Sequence, residues 1–165
     1  MSPGASGNAS CSVSSPPLPS SVVQPFLAAA PMRLVDSITE LGAQDAGCIA
    51  VSGSHGGVSS ARYALAVRPL LSVFNDAGVG KNAAGIAGLQ VLQNQALAAC
   101  TVAHNSACIG QAASTLSEGV ISHANTAALA LGAEPGLPLK CLFDPDPRNP
   151  ACATHPSPSS CPADT

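Results

Sequence analysis

Proline placement constrains this chain more than any other feature. Of its 15 prolines, six fall in residues 1–31 and eight in 135–165, leaving Pro69 alone between them. Proline removes a backbone donor and clashes with the preceding helical turn, so long regular elements belong where it is absent. The first 31 residues are otherwise mostly Ser, Ala and Gly with almost no charge, too little apolar surface to offset the entropy of ordering. From Asp144 through Pro150 to Thr165 the chain is broken by proline in the same way. The expected organisation is a disordered leader over 1–31, one folded domain over 32–143 and a disordered tail over 144–165.

Within the central stretch the hydrophobic period switches in order. Leu34, Val35, Ile38 and Leu41 recur at helical spacing and stop at Gly42, predicting a first helix. The apolar run 48–51 predicts a buried strand entering a glycine turn, and 58–67 an alanine-rich helix broken by Pro69. A second strand is expected over 70–74. Asn82 is the expected N-cap of a helix carrying Ile86, Leu89, Leu92 and Ala96. A third strand over 98–103 precedes a stripe of Ile109, Ala112, Ala113, Leu116 and Val120. A short helix over 125–131 and an extra strand over 136–143 complete the pattern. Successive strands lie at the spacing of βαβ units, and their apolar runs are continuous rather than alternating. The fold class is therefore α/β: a small three-layer domain with a mainly parallel sheet of four or five strands built from consecutive βα units.

Composition excludes several partners. Charged residues make up 9% of the chain, against about 25% in an ordinary soluble protein. With 6 Lys and Arg against 9 Asp and Glu and no basic run, nothing attracts nucleic acid or an acidic membrane surface. Aromatics at 2% with no Trp leave little to stack on bases. There is no 18-residue apolar run and no basic segment leading into a signal-like apolar core, so a cytoplasmic location is expected. Cys48, Cys100 and Cys108 fall in segments that read as strand or helix, where a thiol acts as a small buried hydrophobe; with seven cysteines in all, no disulfide framework is expected. Cys141, Cys152, His155 and Cys161 match no zinc-finger spacing and read as incidental. So few charges suggest that alanine-rich helix faces pack between copies in a homo-oligomer.

Parallel sheets bind ligands at the carboxyl ends of their strands. Those ends carry Ser54 and His55, then Asp76 and Lys81, then His104, Asn105 and Ser106. The first of these segments, Val51-Ser52-Gly53-Ser54-His55-Gly56-Gly57 running on to Ala61-Arg62-Tyr63-Ala64-Leu65, resembles the nucleophile elbow of α/β-hydrolases of the lipase and esterase kind. The resemblance implies Ser54 as nucleophile and the N–H of His55 as an oxyanion donor. It covers about 15 residues, with Ser52 where glycine is usual and without the strands that normally precede the elbow. Ser54, Asp76 and His104 follow in the order nucleophile, acid, base, although Asp76 stands only 22 residues after Ser54. A tight strand-to-helix turn accounts for the same glycines without any chemistry.

The Gly78-Val79-Gly80-Lys81 core is similar to part of a phosphate-binding loop, but the full signature needs Gly at Asn75 and Ser or Thr at Asn82, which argues against a nucleotide triphosphatase. His55, His104, His123 and Asp76 are chemically adequate for zinc, yet no short ligand pair supports a site, and neither metal nor cofactor is assigned. Two functions follow. One is a small hydrolase acting on an ester, amide or related acyl bond of a small substrate, with Ser54 as nucleophile or His55 and His104 as acid–base pair, Asp76 orienting, and Lys81 holding an anionic group. The other is a non-catalytic or degenerate domain that binds a small anionic or nucleotide-like ligand through Gly56, Gly57, Asn75, Gly78, Gly80, Lys81, Asn105 and Ser106.

Overall fold

A computed structural model describes residue 27, residues 29–144, and residues 148 and 152; most of the expected leader and tail lies outside these described residues. Strand β1 (Met32–Val35) leads through two 3-10 turns (Ile38–Glu40 and Ala43–Asp45) to β2 (Ile49–His55) and helix α1 (Val58–Val67). Strand β3 (Leu71–Asn75) is followed by a 3-10 turn (Lys81–Ala83), helix α2 (Ala87–Gln93) and strand β4 (Ala98–Val102). Helix α3 (Ala112–Glu118), strand β5 (Ile121–Ala124), and helices α4 (Thr126–Ala130) and α5 (Leu139–Phe143) complete the domain. The five strands form one sheet in chain order, parallel from β1 to β4, with β5 antiparallel to β4.

Every residue of β3 and β4 is buried, which explains their unbroken apolar runs: both faces of the sheet are covered. Val73 and Cys100 point to one face, where Val51, Val102, Leu139 and Leu142 pack. Their chain neighbours Phe74 and Ala99 point to the other, against Ala61 and Ala64 of α1 and Leu89 and Leu92 of α2. The result is the three-layer α/β domain expected from the sequence. Ala61 and Ala64 are fully buried inside it, so this alanine face serves the chain's own core rather than a second copy. Leu27 is also buried in the first of these cores, although it lies in the stretch read as leader.

Four local expectations are corrected. The helix expected from Leu34 to Leu41 is strand β1 followed by a 3-10 turn, because Ser37 starts a new element: its hydroxyl accepts the Thr39 N–H while Glu40 Oε1 accepts the Ser37 N–H at 2.9 Å. The strand expected over 136–143 contains helix α5 instead, with Leu139 and Leu142 buried at helical spacing. The fifth strand of the sheet is β5, whose His123 pairs with Thr101 of β4. Asn82 does not cap α2 but sits inside the preceding 3-10 turn at φ 56°.

The fourth correction concerns cysteine. Cys48 and Cys100 are buried as expected, but Cys108 is exposed, and Cys141 forms a disulfide with Cys152. Helix α5 makes this pairing reachable by turning Cys141 inward, with a Cα–Cα separation of 5.5 Å. An oxidised bridge is uncommon in the cytoplasm expected from the sequence. No helix among the described residues is long and apolar enough to cross a membrane. Closing so short a loop is worth about 2–3 kcal/mol in the chain-entropy account. Urea denaturation of the Cys141→Ser, Cys152→Ser double variant should show a loss of that size, and an unchanged midpoint would mean that the bridge adds nothing to stability.

Candidate functional site

Strands β2, β3 and β4 end at one edge of the sheet. The Asp76 N–H continues the β3–β4 pairing by donating to Val102 O at 2.9 Å, which sets Asp76 beside the turn that carries His104. The carboxylate is buried, and Oδ1 accepts the N–H of Gly78 at 2.8 Å and of His104 at 2.9 Å. The same oxygen faces Nδ1 of the His104 ring at 3.5 Å, within ion-pair reach. Burial pushes the Asp76 carboxyl up, but hydrogen bonds from Gly78, the Ser122 hydroxyl and His104, with the charge of His104, outweigh burial and leave its pKa lowered. The ring of His104 is 60% exposed, with Nδ1 turned to the carboxylate and Nε2 on the far side.

The lowered pKa has a consequence for stability. The Asp76 contribution is fully present above the unfolded carboxyl value of about 3.9 and is lost as pH falls through the lower folded value. Asp76→Asn should therefore be less stable than the parent at pH 7, and the gap should close below about pH 4. Urea melts at pH 7 and at pH 3 would check this; a gap of the same size at both would contradict it.

His104 opens onto a cleft of about 560 Å³ whose lining includes Asn75, Asn105, Ser106, Cys108 and Glu118. Two of these residues are structural. Asn75 is fully buried, donating from Nδ2 to Ala107 O at 3.3 Å and accepting the Ala77 N–H at 2.8 Å, so it clamps the β4–α3 loop to the end of β3. Ser106 donates to Ala103 O at 2.7 Å and accepts the Val120 N–H at 2.9 Å. Asn105 and Glu118 are exposed at the rim.

Ser54 and His55 lie outside the lining of this cleft. Strand β2 runs through both, with a register irregularity between Val51 and His55, and Ser54 does not adopt a left-handed backbone conformation. The Ser54 hydroxyl accepts the Ile38 N–H at 3.0 Å, fastening the first 3-10 turn to β2. His55 is exposed and its Nδ1 accepts the Gly57 N–H at 3.2 Å. The glycines of the ligand-binding alternative use their donors within the chain: Gly56 donates to Asn75 O, Gly57 to the His55 ring, Gly78 to Asp76 and Gly80 to Gly78 O. Lys81 is exposed at the start of its 3-10 turn and also stands outside the cleft lining.

The segment after Asp76 is strained. Ala77, Val79, Asn82 and Ala83 all take positive φ, between 51° and 68°, alongside Gly78 and Gly80. Each such non-glycine residue costs about 1–2 kcal/mol and persists only where surrounding contacts over-determine it. Here those contacts are backbone hydrogen bonds of 2.7 Å from Val79 N to Asp76 O and from Gly85 N to Val79 O. Gly88 N then donates to Gly56 O at 2.8 Å, seating α2 on the end of β2.

Cys108 and Ser122 stand near the site without being candidates from the sequence. Cys108 lies in a segment that reads as strand or helix, but α3 starts at Ala112, and Gly110 with φ 84° marks the loop before it. Ser122 belongs to β5, for which the apolar pattern carries no signal. Its hydroxyl donates to Thr101 O at 3.3 Å and lies 3.0 Å from Thr101 Oγ1 and 3.1 Å from His123 Nδ1, so it ties His123 to β4. Among the described residues no three His, Cys, Asp or Glu side chains are grouped to hold a metal ion. The chain matches no protein-family model, no curated protein and no solved structure.

Proposed function

We propose that the protein is a small hydrolase acting on an ester, amide or related acyl bond, with His104 as general base and Asp76 as the residue that orients it. The observation that carries this reading is the convergence of the His104 N–H and Nδ1 on one carboxylate oxygen beside an open cleft. Hydrogen bonds to the carboxylate keep Asp76 ionised, so it stabilises the imidazolium formed when Nε2 takes a proton from the attacking group. The same proton is then available to the leaving oxygen or nitrogen. A contact of 3.5 Å is long for a working hydrogen bond, and such contacts commonly tighten once substrate is bound. A cleft of about 560 Å³ suits a small substrate.

With His104 serving as both base and acid, this reading dispenses with Ser54 and with His55, the expected acid–base partner, both of which stand outside the cleft lining. An anion cradle is less well supported, because the glycine N–H groups it requires already have partners. Turnover of a panel of aryl esters by the full chain, its His104→Ala variant and its Ser54→Ala variant tests the proposal. Loss in His104→Ala with retention in Ser54→Ala supports the dyad, loss in both favours the elbow, and a chain inert to the panel overturns the reading.

A further inference from the structure

We infer that a second cleft, between helix α2 and the corner where β5 meets α4, binds an uncharged ring compound whose edge carries neighbouring N–H and C=O groups, as in a lactam or a pyrimidine base. The cleft has a volume of about 460 Å³ and shares no lining residue with the one that holds His104, so it stands apart from the proposed hydrolytic site.

Side chains that cross from one wall to the other brace this cleft. Asn125, 8% exposed, caps α4 and uses its whole hydrogen-bonding capacity: Oδ1 accepts the N–H of Ala99 at 3.1 Å and of Ala128 at 2.9 Å, and Nδ2 donates to Leu89 O at 3.2 Å and Leu97 O at 2.9 Å. Gln93 reaches over from α2, its Oε1 accepting the Ala127 N–H at 3.2 Å. Walls tied in this way are in place before anything binds.

The same bonds decide which polar atoms remain. With its oxygen committed to Ala127, Gln93 has only the Nε2 amide to offer, a donor. His123 offers the opposite. The Ser122 hydroxyl gives its one proton to Thr101 O, so it can only accept from Thr101 Oγ1 and from His123 Nδ1. The His123 proton is therefore on Nδ1, and Nε2 is an acceptor with no partner among the described residues. One donor and one acceptor in the lining match a C=O and an N–H on the ligand, and they discriminate against a molecule without the N–H, which would leave the acceptor unpaired. None of the described residues in the lining is Asp, Glu, Lys or Arg, so nothing offsets the desolvation of a charged ligand. Ile86 and Leu89 on α2, with Leu129 on α4 left 45% exposed, supply apolar surface for the faces of a ring.

Titrating the ¹⁵N-labelled full chain with uracil, and in parallel with the derivative methylated on both ring nitrogens, tests this. Uracil should shift the His123, Thr126 and Leu129 amides and the Gln93 side-chain NH₂ with a Kd of about 1 mM, whereas the dimethyl compound keeps the carbonyls, lacks any N–H, and should bind about tenfold more weakly or worse. Gln93→Glu retains an oxygen for the Ala127 N–H and loses the donor, so it should weaken uracil about tenfold or more at an unchanged melting temperature. Equal affinity for the two compounds, or undiminished affinity in Gln93→Glu, would overturn the recognition of the N–H and C=O edge. No shifts up to about 10 mM uracil, or shifts confined to the residues around His104, would overturn the site itself.

Discussion

Replacing Asp76 with Asn should lower kcat for aryl-ester hydrolysis by about 10²- to 10⁴-fold with little change in KM, while the chain stays folded. The amide keeps the size of the carboxylate, and its oxygen can still accept the N–H groups of Gly78 and His104, so the turn that follows β3 is held. What disappears is the charge facing His104 Nδ1, and with it both the orientation of the ring and the stabilisation of its protonated form. Steady-state kinetics beside a circular dichroism spectrum would read the two effects separately. Unchanged kcat in a folded variant would remove Asp76 from the mechanism.

The second large effect is expected far from any reacting atom. A Cβ at Gly85 would drive into the carbonyl oxygen of Asp76 and stand 3.1 Å from that of Val79. Both obstacles are backbone, so no side-chain rotation relieves them. The strained segment between Asp76 and Gly85 is closed by the bond from Gly85 N to Val79 O, and moving it displaces the carboxylate. Gly85→Ala should cost about 3 kcal/mol in urea denaturation and reduce turnover as well. Gly47→Ala provides the contrast. It sits at φ 78° with nothing within 4 Å, so it carries conformational strain alone, about 1 kcal/mol. Equal stability of Gly85→Ala and the parent would mean that this close approach does not hold the loop.

The three inner strands were legible because each is a continuous apolar run covered on both faces. Helix α1 was legible to the residue, since Arg68 takes the left-handed cap conformation just before Pro69. The edges were not. Strand β1 has four residues with only Val35 buried, and its apolar positions fit a helical period as well as a strand. Strand β5 reads Ile-Ser-His-Ala and becomes a strand only by pairing with β4, a tertiary choice that leaves no local signal.

The site divides in the same way. Asp76 and His104 were found because they follow strands whose ends the apolar pattern marks. Ser54 and His55 were grouped with them because the pattern stops at Val51, whereas the strand itself runs on to His55 and Ser54 is engaged by the distant Ile38 N–H. Cys108 reads as buried but is exposed, because α3 begins three residues later than the hydrophobic stripe that starts at Ile109. A thiol beside an apolar stripe looks like core until the start of the helix is known.

The tautomer of His104 tests the central pairing most directly, by long-range ¹⁵N–¹H correlation of the neutral ring. A carboxylate only accepts, so Asp76 opposite Nδ1 predicts a proton on Nδ1 and an unprotonated Nε2. His55, whose Nδ1 accepts the Gly57 N–H, should show the opposite tautomer in the same spectrum. His104 protonated chiefly on Nε2, as at His55, would contradict the dyad.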